Sequence, residues 1–397
     1  MNQPTPESIM LPASFSHRNP PSTLVYGNGA LANLALSLAE LGVLRPVVVA
    51  GRRTAASRVY RDTLAGLQGL EWAECTGMPE HSPVSEVLRL REMARSHRAD
   101  GFIAVGGGSA SDACKAAALW LAEGGELADH ATRFIPPDQL HSPRLKAPKL
   151  PVIAIPTTLS GAEVTAGGSV RTDDGRKLIL VDAKLAARLI VIDPAAAMDV
   201  PASVFLASGM NGLAHCIEGF YSRVRTPVSS ALALEAIRMF MQALPAVARE
   251  PESVQARGLA LVAAHLSGQV LVNARSCIHH AVCHALGAVA GISHGDANSI
   301  MLPHAMAFNA ADPDAAAALA LCAQAMGTRD ATPEGAIDRV QCLQQEIKVP
   351  RRLRDTGMQR SLLTEVAAKV MGEKGLYVNP RRVTEAAQVE PLLLAAW

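Results

Sequence analysis

Histidines are concentrated in one part of the chain, residues 208–309, which contains seven of the twelve. The seven are His215, His265, His279, His280, His284, His294 and His304. Residues four apart on a helix lie on the same face, one turn from each other. His280 and His284 have this spacing, and Asn211 and His215 repeat it on another segment. Imidazoles supplied by separate segments can assemble a metal site or a proton-transfer site.

A histidine within an apolar helix can also be a core residue that hydrogen-bonds to the backbone, and this interpretation is the better one for His265. The two polar pairs lie in an otherwise apolar helical region. Because such a region has no structural need for repeated polar pairs, they favour a functional site.

A second candidate site is a glycine-rich turn that follows a short apolar run, residues 101–105. The turn consists of Gly106, Gly107, Gly108 and Ser109. Glycines let the backbone approach a ligand closely, and the N-terminus of a following helix presents free N–H groups to a phosphate. A tight turn without a ligand is the alternative. The preceding strand, with Asp112 and Lys115 on the next helix, favours a dinucleotide site.

A third group of polar residues occupies the loop at 155–168, which also follows an apolar run. Its candidate ligand-binding side chains are Thr157, Thr158 and Ser160. Hydroxyl groups in such a loop can hydrogen-bond a pyrophosphate or a ribose, although Ser/Thr/Gly loops are also common turns. Lys177 follows shortly afterwards, where its charge could meet phosphate or ribose oxygens.

The elements that must position these residues differ between the two halves of the chain. Short apolar runs alternate with helical patterns in the first half, which predicts a parallel, Rossmann-like α/β sheet. The predicted strands are 24–26, 45–50, 101–105, 150–155 and 189–193, and the predicted helices are 30–41, 57–67, 83–95 and 113–122. Residues 129–149 are expected to form a long surface connection.

Apolar residues recur at helical spacing from about residue 204 onward. The clearest helices are 229–244, 256–273, 278–290 and 314–326. We therefore predict an α/β dinucleotide-binding domain at 1–200, with a loose N-terminal arm at 1–23. An all-helical domain that carries the histidines is predicted at 201–397.

Composition excludes several classes of protein. The net charge is +1 and charged residues are 18%, with no basic cluster, so no nucleic-acid partner is expected. No apolar run of membrane-spanning length and no signal-peptide core stand out. The seven cysteines include no Cys-x-x-Cys pair and are interpreted as buried thiols of a cytoplasmic protein. A small-molecule substrate and a homodimer are expected.

Several motifs, taken together and in this order, resemble the iron-containing alcohol dehydrogenase family. They are VGGGSASDACK, IPTTLSGAEVT, VIDPAAAMDVP, SGMNGLAHCIEGFYS and HGDANSIMLPHAMAFN. The resemblance runs from about residue 26 to the NPRRVTE segment near the C-terminus. It implies an α/β nucleotide-binding domain, an all-helical domain, an active site in the cleft between them, and NAD(P)-linked hydride transfer.

The same resemblance implies a set of metal ligands, which are an Asp and three His in the metal-dependent members. The matching positions are Asn211, His215, His280 and His294, and a further active-site histidine matches His284. A carboxylate gives a divalent cation a full negative charge, whereas an amide gives only a carbonyl dipole. Three histidines and a water still form a zinc site. Whether iron or zinc binds is therefore left open.

The asparagine of GMNxxAHCxE, together with HHxxCHxLG, resembles the maleylacetate reductase branch of the family. This implies reduction of the carbon–carbon double bond of maleylacetate, or of a close unsaturated oxo-dicarboxylate, to give 3-oxoadipate during aromatic breakdown. Hydride addition makes an enolate that histidine donors can stabilise. Because a histidine titrates near neutral pH, we expect His284 to donate the proton and His280 to bind mainly substrate carboxylate.

Three other functions stay open at this point. The HGDAN segment and the length of residues 129–149 favour a metal-dependent alcohol or aldehyde dehydrogenase. A lyase of the dehydroquinate synthase type shares the architecture, but its zinc site includes a carboxylate that Asn211 does not provide. A catalytically silent nucleotide-binding protein is the last alternative, and the retained histidines argue against it.

Nucleotide preference is indicated by the end of the second strand. NAD-preferring members place an Asp there against the ribose hydroxyls, whereas this chain has Gly51 followed by Arg52 and Arg53. Without the carboxylate a 2′-phosphate is not repelled, and an arginine can bind it. Two solvated loop arginines are the alternative. We expect both NADH and NADPH to be used.

Overall fold

A six-stranded parallel sheet forms the centre of the first half in this computed structural model, which describes residues 12–135 and 139–397. Its strand order is β1-β10-β7-β4-β2-β3. The six strands are β1 (Thr23–Tyr26), β2 (Pro46–Ala50), β3 (Ala73–Thr76), β4 (Gly101–Gly106), β7 (Val152–Pro156) and β10 (Leu189–Ile192). Every residue of β2, β4, β7 and β10 is buried. Apolar runs without alternation are typical of strands covered on both faces, and the predicted parallel sheet is confirmed.

Helices cover this sheet and connect its strands. They are α1 (Leu34–Glu40), α2 (Arg52–Ala55), α3 (Arg58–Ala65), α4 (Val84–Ser96) and α5 (Gly108–Glu123). The four predicted helices of this half overlap α1, α3, α4 and α5. The short strand β3 was missed, because its four residues alternate in burial and contain only one fully buried side chain.

The predicted surface connection at 129–149 is wrong in part, because it contains two strands. β5 (Ala131–Ile135) and β6 (Gln139–His141) join β8 (Gly167–Arg171) and β9 (Lys177–Val181) in a second sheet, with the order β6-β5-β9-β8. Pairing within this sheet is antiparallel. β5 carries no continuous apolar run, so its strand character depends on pairing with β9 and cannot be recognised locally.

The N-terminal segment is attached to the helical half where it is described, which corrects the expectation of a loose arm. His17 Nδ1 lies 2.9 Å from Thr226 Oγ1. The Arg18 N–H donates to Asn273 Oδ1 at 2.6 Å, and Asn273 Nδ2 donates back to the Arg18 carbonyl at 3.1 Å. Residues 1–11 of the predicted arm, and residues 136–138 of the predicted connection, lie outside the described part of the chain.

The second half is helical, as predicted. Its helices are α6 (Ala202–Tyr221), α7 (Pro227–Arg249), α8 (Val254–Ala274), α9 (Ile278–Ala290), α10 (His294–Asn309), α11 (Pro313–Ala325), α12 (Pro333–Glu346), α13 (Leu363–Val370) and α14 (Glu390–Ala395). The domain boundary near residue 200 stays a prediction.

Helices α6, α7 and α8 pack closely because α6 carries glycines at its contacts. A Cβ on Gly212 would lie 2.5 Å from the Phe240 ring, and one on Gly209 would lie 2.4 Å from Leu244. α7 is long and apolar enough to cross a membrane by length and composition alone. It also carries the exposed ion pair Arg238–Glu235 and packs its other face into the main apolar core.

Candidate active site

The glycine-rich turn lies at the carboxyl end of β4, with Gly107 as the residue before α5. Gly106 has φ +125°, a conformation that side chains rarely adopt. A Cβ on Gly107 would lie 3.2 Å from Thr158 Oγ1, and one on Gly108 would lie 3.8 Å from Ser160 Oγ. The turn and the 155–168 loop therefore lie against each other, and a contact between the glycine backbone and a pyrophosphate stays a prediction.

Ser109 and Asp112 both accept hydrogen bonds from other residues of the protein. Ser109 Oγ accepts from the His81 N–H at 3.2 Å, and Asp112 accepts from the Ser169 N–H at 2.9 Å. Burial raises the pKa of the Asp112 carboxyl. Asp112 thus fastens α5 to β8, while a direct contact of either residue with a cofactor stays a prediction.

Lys115 holds the second loop in place, a role that its sequence context did not indicate. Its buried ammonium group donates to the carbonyls of Ala162, Thr165 and Gly167 at 2.5, 2.8 and 3.2 Å. Burial lowers its pKa to about 8. Thr157 adds a backbone link, since its N–H donates to the Gly106 carbonyl at 3.1 Å.

Gly51 follows β2 and precedes α2, whose first residues, Arg52 and Arg53, are exposed. This helix adjoins the glycine-rich turn, because a Cβ on Gly106 would lie 3.1 Å from Thr54 Oγ1. The residues predicted to choose between nucleotides therefore neighbour the predicted pyrophosphate site, as that prediction requires.

The 155–168 loop also contacts α6, the helix that carries Asn211 and His215. The Leu159 N–H donates to Ser208 Oγ of α6 at 3.0 Å. A Cβ on Gly212 would lie 3.0 Å from the Leu159 carbonyl oxygen. Because α6 carries Asn211 and His215, one loop contacts both the glycine-rich turn and the helix that presents the histidine cluster.

The histidines expected at the site form one cluster, supplied by three helices. His215 on α6 stacks on His280 of α9, with ring centroids 4.6 Å apart. His294, at the start of α10, has its ring 6.0 Å from that of His280 and 5.8 Å from that of His284. The structure thus brings together the residues that spacing and resemblance selected. His265 is buried on α8, and its Nδ1 has no partner within the described residues.

Glu218 lies at the centre of the cluster and was not among the predicted site residues. Its Oε1 accepts the N–H groups of Cys277 and His279 at 3.1 and 2.8 Å, and its Oε2 binds His280 Nδ1. Burial opposes ionisation of this carboxyl, but His280 and His279 outweigh it and lower its pKa. The position of Glu218 in the sequence could have indicated this role, because it is seven residues after Asn211 and therefore lies on the same face of α6.

His280 is therefore oriented from both sides. Its Nδ1 binds the Glu218 carboxylate, and its Nε2 lies 3.0 Å from Asn211 Oδ1. A carboxylate behind an imidazole fixes its ring orientation and its tautomer. The Nε2 edge of His280 is thus directed towards Asn211.

Two groups of side chains in the described residues could contribute to a metal site. Glu218, His279 and His280 present ligand atoms within 4.8 Å of one another. However, two backbone N–H groups already occupy Glu218 Oε1. The predicted set of His215, His280 and His294 lies beside Asn211, so its donors are all neutral. This set does not match a tightly held iron ion.

His284 pairs with a residue from the C-terminal part of the chain. Its Nδ1 lies 3.0 Å from Glu373 Oε2. Burial and then the Lys177 charge lower the pKa of His284 to about 4, against the influence of Glu373. The expected titration near neutral pH is therefore corrected: at pH 7 the imidazole is neutral, donates from Nδ1 to Glu373, and has an accepting Nε2.

Lys177 begins β9, and its charge acts on the histidine cluster. It contributes to lowering the pKa of His280, His284 and His294, after the larger effect of burial. A contact between Lys177 and phosphate or ribose oxygens stays a prediction.

Comparisons with known proteins agree with this arrangement. Residues 21–194 match the profile of iron-containing alcohol dehydrogenase, and residues 205–397 match the profile of the Fe-containing alcohol dehydrogenase family, C-terminal. A maleylacetate reductase from Pseudomonas knackmussii is 30% identical over 375 residues, which cover 94% of this chain and 95% of that protein.

Two solved structures share the fold over nearly the whole chain. A 1,3-propanediol oxidoreductase has a TM-score of 0.90 at 25% identity and covers 97% of this chain and 100% of its own. A maleylacetate reductase from Agrobacterium tumefaciens has a TM-score of 0.79 at 26% identity and covers 97% of this chain and 98% of its own.

A glycine-rich turn at the edge of a parallel sheet, joined by one loop to a buried histidine cluster, defines a nucleotide-dependent oxidoreductase. The chain belongs to the iron-containing alcohol dehydrogenase family. It is an enzyme, and its fold is that of the alcohol dehydrogenases and maleylacetate reductases of this family.

Proposed function

We propose that this enzyme uses NADH or NADPH to reduce maleylacetate, or a close unsaturated oxo-dicarboxylate, to 3-oxoadipate or its analogue. The observation that supports this proposal most directly is Asn211. Its neutral amide lies 3.0 Å from His280 Nε2, at a position where a carboxylate would strengthen a metal site. The 30% identity with a maleylacetate reductase supports the same substrate class. We propose further that it acts in the cytoplasm, in aromatic breakdown, as a homodimer.

Reduction of a conjugated double bond can proceed with neutral hydrogen-bond donors in place of a metal ion. A bound NADH or NADPH supplies a hydride to the carbon–carbon double bond. The electron pair of that bond moves to the carbonyl oxygen as an enolate, and the carbon next to the carbonyl then takes a proton. Hydrogen-bond donors aimed at the oxygen stabilise this charge, so no Lewis acid is required.

In this proposal His280 and His284, which both lie on α9, have different tasks. His280, fixed by Glu218, contacts the substrate. His284, oriented by Glu373, delivers the proton from its protonated form, directly or through water. A pKa of about 4 makes that form rare in the free enzyme, whereas a dianionic substrate would favour it.

A metal-dependent alcohol or aldehyde reductase is the second candidate. It is favoured by the TM-score of 0.90 with 1,3-propanediol oxidoreductase, compared with 0.79 for a maleylacetate reductase. In that case His215, His280 and His294 would hold the ion, with Asn211 as a weak fourth ligand. The ion would polarise a carbonyl oxygen.

Parallel assays separate the two functions. Purified protein is analysed for metal and then assayed, with and without a chelator, for NADH and NADPH oxidation. Maleylacetate and a simple aldehyde such as propanal serve as alternative substrates. We expect chelator-resistant activity on maleylacetate with both nucleotides. Activity confined to propanal and abolished by the chelator would establish the second candidate instead.

A further inference from the structure

Two turns that belong to different parts of the sequence pack together beside the histidine cluster. Gly375 lies so close to the turn before α9 that a Cβ on it would be 2.4 Å from the Cys277 carbonyl and 3.3 Å from that of Ser276. Lys374 is the residue before Gly375 on one turn, and Arg275 is the residue before Ser276 on the other. Both cations are therefore carried next to the start of the helix that bears His280 and His284.

The neighbour of Lys374 fixes this turn to the active site. Glu373 binds His284 Nδ1 at 3.0 Å through its Oε2. Since Lys374 is the next residue and is half-buried, its charge is introduced directly beside that pair.

The backbone of Arg275 is strained. It has φ 61° and ψ 173°, a region that is occupied almost only by glycine. Its side chain is exposed. Such backbone outliers cluster at functional sites, which makes this position a candidate for a functional side chain.

Positive charges outnumber negative charges around Lys374. Burial, followed by the charges of Lys177 and Arg275, lowers the pKa of Lys374 to about 8 against the influence of Glu373. Two further cations, Lys177 and Arg275, thus act on Lys374. Glu373 is the anion among the groups that act on Lys374, and it is already bound to His284. Like charges gathered at one place favour a bound anion, and the exposure of Arg275 and Lys177 leaves them open to one.

We propose that Arg275 and Lys374 form an anion subsite that holds one carboxylate of the substrate next to His284. This inference rests on the proposed function, for which it identifies the residues that select an oxo-dicarboxylate over a neutral aldehyde. Arginine offers a planar pair of donors that matches a carboxylate, and lysine adds a point charge.

The test uses two variants and matched controls. Arg275→Gly removes the guanidinium and relieves the strain, whereas Arg98→Gly makes the same change at another exposed residue with positive φ, 53°. Lys374→Met removes the ammonium group, and Lys369→Met does so on the exposed face of α13. Each protein is assayed for KM and kcat with maleylacetate, and succinate is titrated as a non-reducible dicarboxylate by thermal shift.

We expect Arg275→Gly and Lys374→Met each to raise the KM for maleylacetate and the succinate dissociation constant by about 10- to 100-fold. The kcat should change much less, and Arg275→Gly should keep or raise the melting temperature. Both control variants should behave as the wild type. A merely structural Arg275 would instead lower the melting temperature and leave KM unchanged.

The outcomes separate this inference from the proposed function. If the wild type reduces maleylacetate and neither variant changes KM or succinate affinity, the subsite is refuted and the function stands. If the wild type does not reduce maleylacetate but binds succinate, and both variants lose that binding, the subsite stands and the function is refuted. Failure of the wild type to bind or reduce either compound overturns both.

Discussion

The Nδ1 atom of His284 lies 3.0 Å from the Oε2 atom of Glu373, although 89 residues separate them in sequence. A carboxylate in this position orients an imidazole and stabilises its protonated form. The pair therefore provides a group that can carry a proton at the edge of the histidine cluster. It also ties the C-terminal part of the chain to the active-site helix α9.

Replacing His284 with alanine should lower kcat by ~10²- to 10⁴-fold, because general acid assistance is lost. Affinity for NADH and NADPH, measured by fluorescence titration, should stay nearly unchanged. His304→Ala, on α10, is the control histidine variant. Near-normal turnover of His284→Ala, or loss of its fold by circular dichroism, would show that His284 is structural.

Gly107→Val tests the pyrophosphate site. A Cβ at this position would already lie 3.2 Å from Thr158 Oγ1, so the larger side chain fills the space between the two loops. We expect NADH and NADPH affinity to fall by more than about tenfold while the protein remains folded. Gly27→Val is the control, since a Cβ there meets no atom within 4 Å. Unchanged cofactor affinity in Gly107→Val would remove the site from this turn.

Asn211→Asp tests the account of the metal. The new carboxylate would face His280 Nε2, which now lies 3.0 Å from Asn211 Oδ1, and would add one negative charge to a neutral donor set. Zinc and iron affinity, measured by competition with a chelating dye, should rise by at least about tenfold. If the wild type already binds metal as tightly as the variant, the amide does not weaken the site.

Glu163 provides a test of pH dependence. Burial raises the pKa of this carboxyl to about 7 from an ordinary value of 4.5. The folded state therefore binds more protons than the unfolded state between these values, and stability from this group falls as pH rises through that window. Compared with Glu163→Gln, the wild type should lose up to ~3 kcal/mol of unfolding free energy between pH 4.5 and pH 7. Urea unfolding of both proteins at several pH values measures the difference, and parallel curves would contradict it.

Local sequence patterns predicted most of the elements that position the site. The helix expected at 278–290 has the observed bounds of α9, because apolar spacing is continuous there and a glycine follows it. The strands β2, β4, β7 and β10 were predicted because they are apolar throughout. β5 was missed because its strand character depends on pairing with β9, which is distant in sequence, and β6 was missed because its three residues are all exposed.

The site itself was predictable where one segment carried the signal. His280 and His284 follow from helical spacing, and Gly107 follows from its strand–helix context. Glu373 could not be paired with His284 from sequence, because only tertiary packing brings them together. The same holds for the four hydrogen bonds of Lys115, whose acceptors lie 47 to 52 residues away.

The most direct test of the central claim follows the hydride. Maleylacetate is reduced with NADH or NADPH carrying deuterium at the transferred position, using chelator-treated enzyme, and the product is examined by NMR. We predict that deuterium appears on a carbon of the former double bond, that the ketone is retained, and that the product is 3-oxoadipate. Deuterium on a carbinol carbon, with the double bond intact and activity dependent on added metal, would contradict the account.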